Sequence, residues 1–198
     1  MNLPNKLTVS RFALTGLFLW ALFSPLKYND TLALFLFGFA GVTDFLDGKI
    51  ARSRNLITNF GKLMDPLADK IMTCSAFIAF AESTHLRPDA PVKVAAWMVI
   101  LIVAREFAIT GLRLLAASKN IVLAAEGFGK HKTVSQIACL LALLIVDACE
   151  EWPAGLKAWI APWMPQFAAI LLWVTVALTA LSGVIYLWRN RNIYLDDI

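Results

Sequence analysis

Long apolar segments alternate with short polar ones along nearly the whole chain. A helix that crosses a bilayer needs about 20 mostly apolar residues. By this criterion the pattern predicts six membrane-spanning helices, at about 7–25, 31–52, 68–84, 92–116, 131–149 and 166–188. The segments between them are rich in the Pro, Gly and polar residues that are typical of turns. We therefore expect an all-α integral membrane protein.

The composition strengthens this interpretation. The chain has 198 residues, of which 59% are hydrophobic and 16% are charged, whereas a soluble domain carries about 25% charged residues. Six spans use most of this length, so we expect a single domain over residues 1–198. The polar segment 150–165 contains three Trp residues. Because Trp is enriched at membrane interfaces, this segment predicts an interfacial hairpin or short helix.

The basic residues are distributed unequally between the two sides of the predicted bundle. Of the 18 Lys and Arg residues, all but Lys27, Arg87, Lys93 and Lys157 fall on the side of both termini and of the loop between spans two and three. Loops rich in positive charge stay in the cytoplasm, so this side is predicted to be cytoplasmic. The net charge of +4 suits contact with anionic membrane lipids and does not require a nucleic acid partner.

Four aspartates stand out in this apolar chain. Asp44 and Asp47 are three residues apart at the end of the second span, and Asp65 and Asp69 are four apart near the third. Each pair therefore shares one face of a helix. Because proline is favoured at the first helical position, Pro66 predicts that Asp65 is the N-cap of the third helix. The two helix ends would then bring four carboxylates together near the cytoplasmic face.

Four carboxylates in one apolar volume require a cation, because burying like charges costs several kcal/mol each. Oxygen ligands suit Mg²⁺, Mn²⁺ or Ca²⁺, and four carboxylates can hold two ions. A structural metal site or a cation-transport path would also explain the aspartates. However, Gly48, Ala51 and Gly61 leave space for a substrate, and Arg52 offers a cation to a phosphate. Thr58 adds a polar group. Together these residues favour a substrate site over a structural metal site or a cation path.

These residues resemble the signature of the CDP-alcohol phosphatidyltransferases, D-x2-D-G-x2-A-R-x8-G-x3-D-x3-D. Every fixed residue and every gap of the signature is present between Asp44 and Asp69. The resemblance implies six transmembrane helices around a polar cavity that opens to the cytoplasm. It also implies that the cavity holds a CDP-linked lipid and one or two divalent ions, Mg²⁺ or Mn²⁺, and that an acceptor hydroxyl displaces CMP.

The resemblance also assigns roles to residues. All four aspartates would bind metal, and Asp69 would in addition act as the general base. The residues expected to contact the CDP-lipid are Asn5, Thr8, Gly48, Ala51, Arg52, Thr58 and Gly61.

A second polar cluster lies in the fourth span and at the start of the fifth. Polar side chains inside a membrane protein face a cavity or a partner, and several cations together predict an anionic acceptor held by charge-assisted hydrogen bonds. The residues predicted to bind the acceptor phosphate are Arg105, Thr110, Arg113, Lys130 and Lys132. The alternative is that these charges only set the membrane topology and pair with Glu106.

Three further stretches narrow the resemblance. Residues 2–11, 105–113 and 129–136 are similar to N-x-P-N-x-L-T-x-x-R, R-E-F-x-I-T-x-x-R and G-K-x-K-T-x-x-Q, which occur in the bacterial branch of the family that makes phosphatidylglycerol phosphate. This implies CDP-diacylglycerol as donor, sn-glycerol 3-phosphate as acceptor, the bacterial cytoplasmic membrane as location and a homodimer. Phosphatidylglycerol (giving cardiolipin), inositol phosphate or serine as acceptor stays open, as does, more distantly, a cation transporter.

Overall fold

The computed structural model describes residues 3–54, 59–87, 89–119, 121 and 128–195, and side chains within 10–43, 70–87, 89–119, 121 and 132–194. No strand occurs in these ranges. The helices are α1 (Leu3–Phe23), α2 (Asn29–Arg54), α3 (Asn59–Leu86), α4 (Ala96–Ser118), α5 (Phe128–Ala148), α6 (Ala154–Ile160), α7 (Met164–Arg189) and α8 (Asn192–Leu195), with a short 3₁₀ helix at Cys149–Glu151.

The prediction of an all-α protein is confirmed for the described part of the chain. Each of the six predicted spans overlaps one long helix, and α6 is the short helix expected within 150–165. In the ranges given above, Lys132–Glu151 and Met164–Arg189 are long and apolar enough to cross a membrane, and Ser10–Phe23 and Asn29–Thr43 are shorter apolar helices. The number of spans therefore stays a prediction.

The predicted start of the third helix was wrong. Asp65 is not an N-cap, because α3 begins at Asn59 and passes through Asp65 and Pro66 without a break. Proline lacks the N–H that would bond to the carbonyl of Lys62. Helices of membrane proteins tolerate proline where neighbouring groups form hydrogen bonds with the carbonyl that is left free. The segment between α2 and α3 is thus much shorter than the predicted break at 53–66.

The core draws apolar side chains from all six long helices, with Phe37 as a contribution of α2. Phe18, Phe77, Ile102, Leu140 and Leu172, from α1, α3, α4, α5 and α7, are each at most 1% exposed. α5 packs against α7 and α2, and α1 packs against α2 and α3. The helices are also apolar on their outer faces, as a bilayer requires. Examples of such exposed side chains are Phe35, Trp97, Ile100, Trp173, Leu181 and Val184.

Polar contacts join the helices at the end of the bundle where α2 begins. Glu151 accepts hydrogen bonds from the backbone N–H groups of Asp30 (3.0 Å) and Thr31 (2.9 Å) and from the Thr31 hydroxyl (2.6 Å). Arg87, just after α3, pairs with Asp147 of α5 at 2.9 Å. Burial, followed by the nearby charge of Asp147, raises the pKa of Asp30 to about 6 against the opposing effect of Arg87. The aspartate signature lies toward the opposite end of the bundle, where α2 ends and α3 begins.

Candidate active site

The structure places the predicted metal ligands on two helices. Asp44 and Asp47 belong to α2, and Asp65 and Asp69 belong to α3. Spacings of three and four residues on a helix correspond to one helix face, so the shared face of each pair stays a prediction from the spacing. The side chains of residues 44–69 lie outside the described residues. Among the side chains that are described, no group of three or more His, Cys, Asp or Glu residues could hold a metal ion.

The predicted CDP-lipid residues fall on the same part of the fold. Gly48, Ala51 and Arg52 lie on α2, Gly61 lies on α3, and Asn5 and Thr8 lie on α1. Their side chains are outside the described ranges, and Thr58 is outside them altogether. The same holds for the side chain of Lys130, which belongs to α5. Their predicted roles therefore stay predictions.

The described part of the acceptor cluster is organised around one buried carboxylate, Glu106 of α4. Its Oε1 accepts hydrogen bonds from the ammonium group of Lys132, from Nη1 of Arg105 at 3.3 Å, and from Nε2 of Gln136 at 3.4 Å. Its Oε2 lies 3.9 Å from Nζ of Lys70. The ion pair proposed as an alternative role for these cations is thus present, and one carboxylate joins cations from α3, α4 and α5.

Lys70 connects this cluster to the aspartate signature. Its Nζ donates to the Thr110 hydroxyl and to the carbonyl oxygen of Glu106, and the Thr110 hydroxyl itself donates to that carbonyl at 2.7 Å. Since Lys70 directly follows Asp69 in α3, the stretch of α3 that carries Asp69 lies beside the Thr110 region of α4. From the sequence, Lys70 was predicted only to help set the membrane topology. Its position next to Asp69 was the signal that could have placed it in the site.

Arg113 lies two turns beyond Arg105 on α4 and is exposed. Its Nε donates to the hydroxyl of Tyr186 at 3.3 Å, and its guanidinium carbon lies 5.7 Å from the centre of the Tyr186 ring. No carboxylate among the described side chains is within ion-pair distance of Arg113. Its remaining N–H groups are therefore suited to an external anion.

Arg105 is also incompletely neutralised. It shares Glu106 with two lysines, and its Nε is buried without a hydrogen-bond partner among the described residues. The guanidinium groups of Arg105 and Arg113 lie near the part of α3 that carries Asp69. Each can bind a phosphate through two parallel hydrogen bonds, the bidentate geometry that arginine provides.

Most of the chain matches a known family. The model of the CDP-alcohol phosphatidyltransferase family matches residues 1–181. The chain therefore belongs to the CDP-alcohol phosphatidyltransferase family, as the signature between Asp44 and Asp69 indicated.

Curated relatives share one enzyme name, CDP-diacylglycerol–glycerol-3-phosphate 3-phosphatidyltransferase. The chain is 39% identical to the protein of that name from Bacillus subtilis (strain 168), over 96% of this chain and 95% of the relative. It is 31% identical to the one from Rickettsia bellii (strain RML369-C), over 93% of each. It is also 31% identical to the one from Haemophilus influenzae (strain ATCC 51907 / DSM 11121 / KW20 / Rd), over 100% of this chain and 97% of the relative.

Proposed function

We propose that this protein transfers the phosphatidyl group of CDP-diacylglycerol to sn-glycerol 3-phosphate and releases CMP and phosphatidylglycerol phosphate. The observation that carries the proposal is similarity along nearly the full length to relatives that bear this enzyme's name. The complete aspartate signature and the arginine pair on α4 support the same reaction. They supply acidic groups for metal and base chemistry and cationic groups for an anionic acceptor.

The reaction exchanges one P–O bond for another. The acceptor hydroxyl oxygen forms a bond to the phosphatidyl phosphorus, and the bond from that phosphorus to the phosphate oxygen of CMP breaks. Asp69 takes the proton of the attacking hydroxyl, because a carboxylate within reach can act as a general base. The remaining requirements are in-line placement and relief of the pyrophosphate charge.

The four aspartates suit a site for two divalent ions, which we propose to be Mg²⁺ or Mn²⁺. The set offers only oxygen donors, and these ions prefer such donors. The ions would neutralise the pyrophosphate and polarise the phosphorus that is attacked. Asp44, Asp47 and Asp65 would serve as ligands, while Asp69 would serve as both ligand and base.

The acceptor residues are proposed on charge and placement. Arg105 and Arg113 retain N–H donors toward an anion. Thr110 lies one helical turn before Arg113 on α4 and contacts Lys70. Lys132 and Lys130 belong to the adjacent start of α5. An acceptor without its own phosphate, such as serine, would not need this group of cations. This favours sn-glycerol 3-phosphate over such an acceptor.

We propose a multi-pass protein of the bacterial cytoplasmic membrane, with six spans and with the active site and both termini on the cytoplasmic side. The dimensions of α7 support a membrane setting. Its 26 residues extend about 39 Å, and exposed Trp163 and Trp188 mark its two ends. This length matches a hydrocarbon core of about 30 Å with an interfacial layer on each side, where Trp is enriched. A homodimer is proposed from the family resemblance alone.

The reaction is tested with purified protein in detergent by measuring CMP release. We expect release only when CDP-diacylglycerol, sn-glycerol 3-phosphate and Mg²⁺ or Mn²⁺ are all present, and we expect a chelator to abolish it. Asp69→Asn should abolish release, whereas Asp89→Asn, the same change at an exposed position, should not alter it. CMP release that persists without divalent metal would contradict the proposed chemistry.

A further inference from the structure

The two arginines of α4 both contact α7. α7 packs against α4, and the α7 residues that meet these arginines are Gly183 and Tyr186, both buried. They are three residues apart and therefore lie on the same face of α7. Gly183 meets Arg105 and Tyr186 meets Arg113, so one helix face touches both guanidinium-bearing side chains.

Gly183 restricts the conformation of the Arg105 side chain. A Cβ atom added to Gly183 would lie 2.9 Å from Cγ of Arg105 and 3.8 Å from its Cβ, and Cβ atoms essentially never come closer than 3.0 Å to another heavy atom. Because Cγ lies near the backbone, movement of the flexible tip would not relieve this clash. The other glycines with described surroundings have nothing within 4 Å of such a Cβ; they are Gly16, Gly38, Gly41, Gly111 and Gly155.

This packing matters because the guanidinium group of Arg105 has few other contacts. Its one ion-pair contact among the described residues is the 3.3 Å contact with Glu106, and its buried Nε has no hydrogen-bond partner there. The contact of the side-chain stem with the α7 backbone at Gly183 therefore limits the conformations available to Arg105, and the Glu106 contact acts on the guanidinium group itself.

Tyr186 performs a corresponding role for Arg113. Its side chain is only 4% exposed and packs with Ile109 and Leu112, so the ring is fixed. The Arg113 Nε donates to the Tyr186 hydroxyl, and the guanidinium carbon lies 5.7 Å from the centre of the ring. Because this hydrogen bond uses Nε, the two terminal nitrogens keep their N–H donors for a phosphate.

We infer that Gly183 and Tyr186 are positioning residues that hold Arg105 and Arg113 in the arrangement that binds the phosphate monoester of the acceptor. The inference rests on the proposed function, because it takes that phosphate as the anion that the arginines receive. It adds α7 to the elements that determine acceptor affinity, although neither Gly183 nor Tyr186 provides a charge to the site.

Gly183→Ala tests the first contact, with Gly16→Ala as the matched control. Both changes replace a glycine within a helix and gain the same helix propensity, but only the first meets a neighbouring side chain. We expect Gly183→Ala to raise the KM for sn-glycerol 3-phosphate about ten- to hundredfold, because small misplacements of binding groups cost this much. The KM for CDP-diacylglycerol should stay within about twofold, and Gly16→Ala should change neither constant.

Tyr186→Phe tests the second contact without leaving a cavity. Removing one hydroxyl acceptor should raise the KM for sn-glycerol 3-phosphate about three- to tenfold. Tyr194→Phe is the control, because the Tyr194 hydroxyl donates instead to the carbonyl of Leu187 and should leave that KM unchanged. In an Arg113→Ala background, Tyr186→Phe should add less than about twofold, since coupled residues are not additive. Full additivity would show that Tyr186 does not act through Arg113 and would overturn its assignment.

A binding measurement separates this inference from the proposed function. With chelator present to prevent turnover, sn-glycerol 3-phosphate should protect the wild-type protein and Gly16→Ala from thermal unfolding, but should protect Gly183→Ala much less. This result would support the positioning role even if the wild type released no CMP, an outcome that would reject only the proposed reaction. Equal protection of Gly183→Ala and wild type, or no protection of the wild type, would overturn the inference.

Discussion

Removing the carboxylate of Glu106 should destabilise the folded protein strongly. The Glu106 side chain is 7% exposed, and the Lys132 side chain that contacts it is 6% exposed. Deleting one partner of a buried ion pair costs about 3–5 kcal/mol, because the other charge loses its partner away from water. Arg105 and Lys70 are more accessible, at 13% and 21%, so water can partly compensate for their loss. We therefore expect about 3 kcal/mol for Glu106→Ala, the lower end of that range.

Thermal unfolding in detergent at one scan rate would measure this loss. A loss of about 3 kcal/mol corresponds to a decrease of roughly 6–12 °C in Tm for a chain of this size. Glu106→Gln should lose about half as much, because its amide oxygen can still accept hydrogen bonds from Lys132 and Gln136. Glu150→Ala is the control, since Glu150 is 60% exposed in its pair with Lys157 and should cost at most about 0.5 kcal/mol. An equal decrease in Tm for Glu106→Ala and Glu150→Ala would show that the buried ion pair of Glu106 does not stabilise the fold.

Three further predictions concern the two ends of the bundle. Glu151→Ala should lower the free energy of unfolding by about 2 kcal/mol, because Glu151 accepts three hydrogen bonds at the start of α2; a Tm as high as that of Glu150→Ala would contradict this. The folded protein raises the pKa of Asp30 from 3.8 to about 6, so ionisation of Asp30 destabilises the fold as pH rises through this interval. Asp30→Asn should therefore raise Tm relative to the wild type above about pH 6 but not near pH 4, and a gain that is independent of pH would be inconsistent with this cause. Arg113→Ala should raise the KM for sn-glycerol 3-phosphate much more than that for CDP-diacylglycerol, whereas Arg191→Ala, at another exposed arginine, should affect neither; equal effects on both constants would reject the assignment.

The positions of the long helices could be predicted from the sequence, but their polar ends could not. The apolar criterion located the third span at about residue 68, whereas α3 begins at Asn59. Hydropathy detects only the part of a helix that suits lipid. The polar residues before Asp65 continue the helix although they lack that signal, and Pro66 was mistaken for a helix start because proline is common there.

The candidate site was predictable where its residues are close in sequence. The fixed gaps from Asp44 to Asp69 identified the family, and Glu106 was an evident partner for the adjacent Arg105. Contacts between helices that are far apart in sequence had no comparable signal in the sequence. Lys70 meets Glu106 across 36 positions, and Arg113 meets Tyr186 across 73, so only the packing of α4 against α3 and α7 reveals these pairs.

The identity of the acceptor can be tested by comparing acceptors with purified protein, CDP-diacylglycerol and Mg²⁺ or Mn²⁺. CMP release and the lipid product would be measured with sn-glycerol 3-phosphate, phosphatidylglycerol, inositol phosphate or serine as the single acceptor. We expect CMP and phosphatidylglycerol phosphate in equal amounts with sn-glycerol 3-phosphate and little CMP release with the other acceptors. Faster release with any other acceptor, or none with sn-glycerol 3-phosphate, would contradict this expectation.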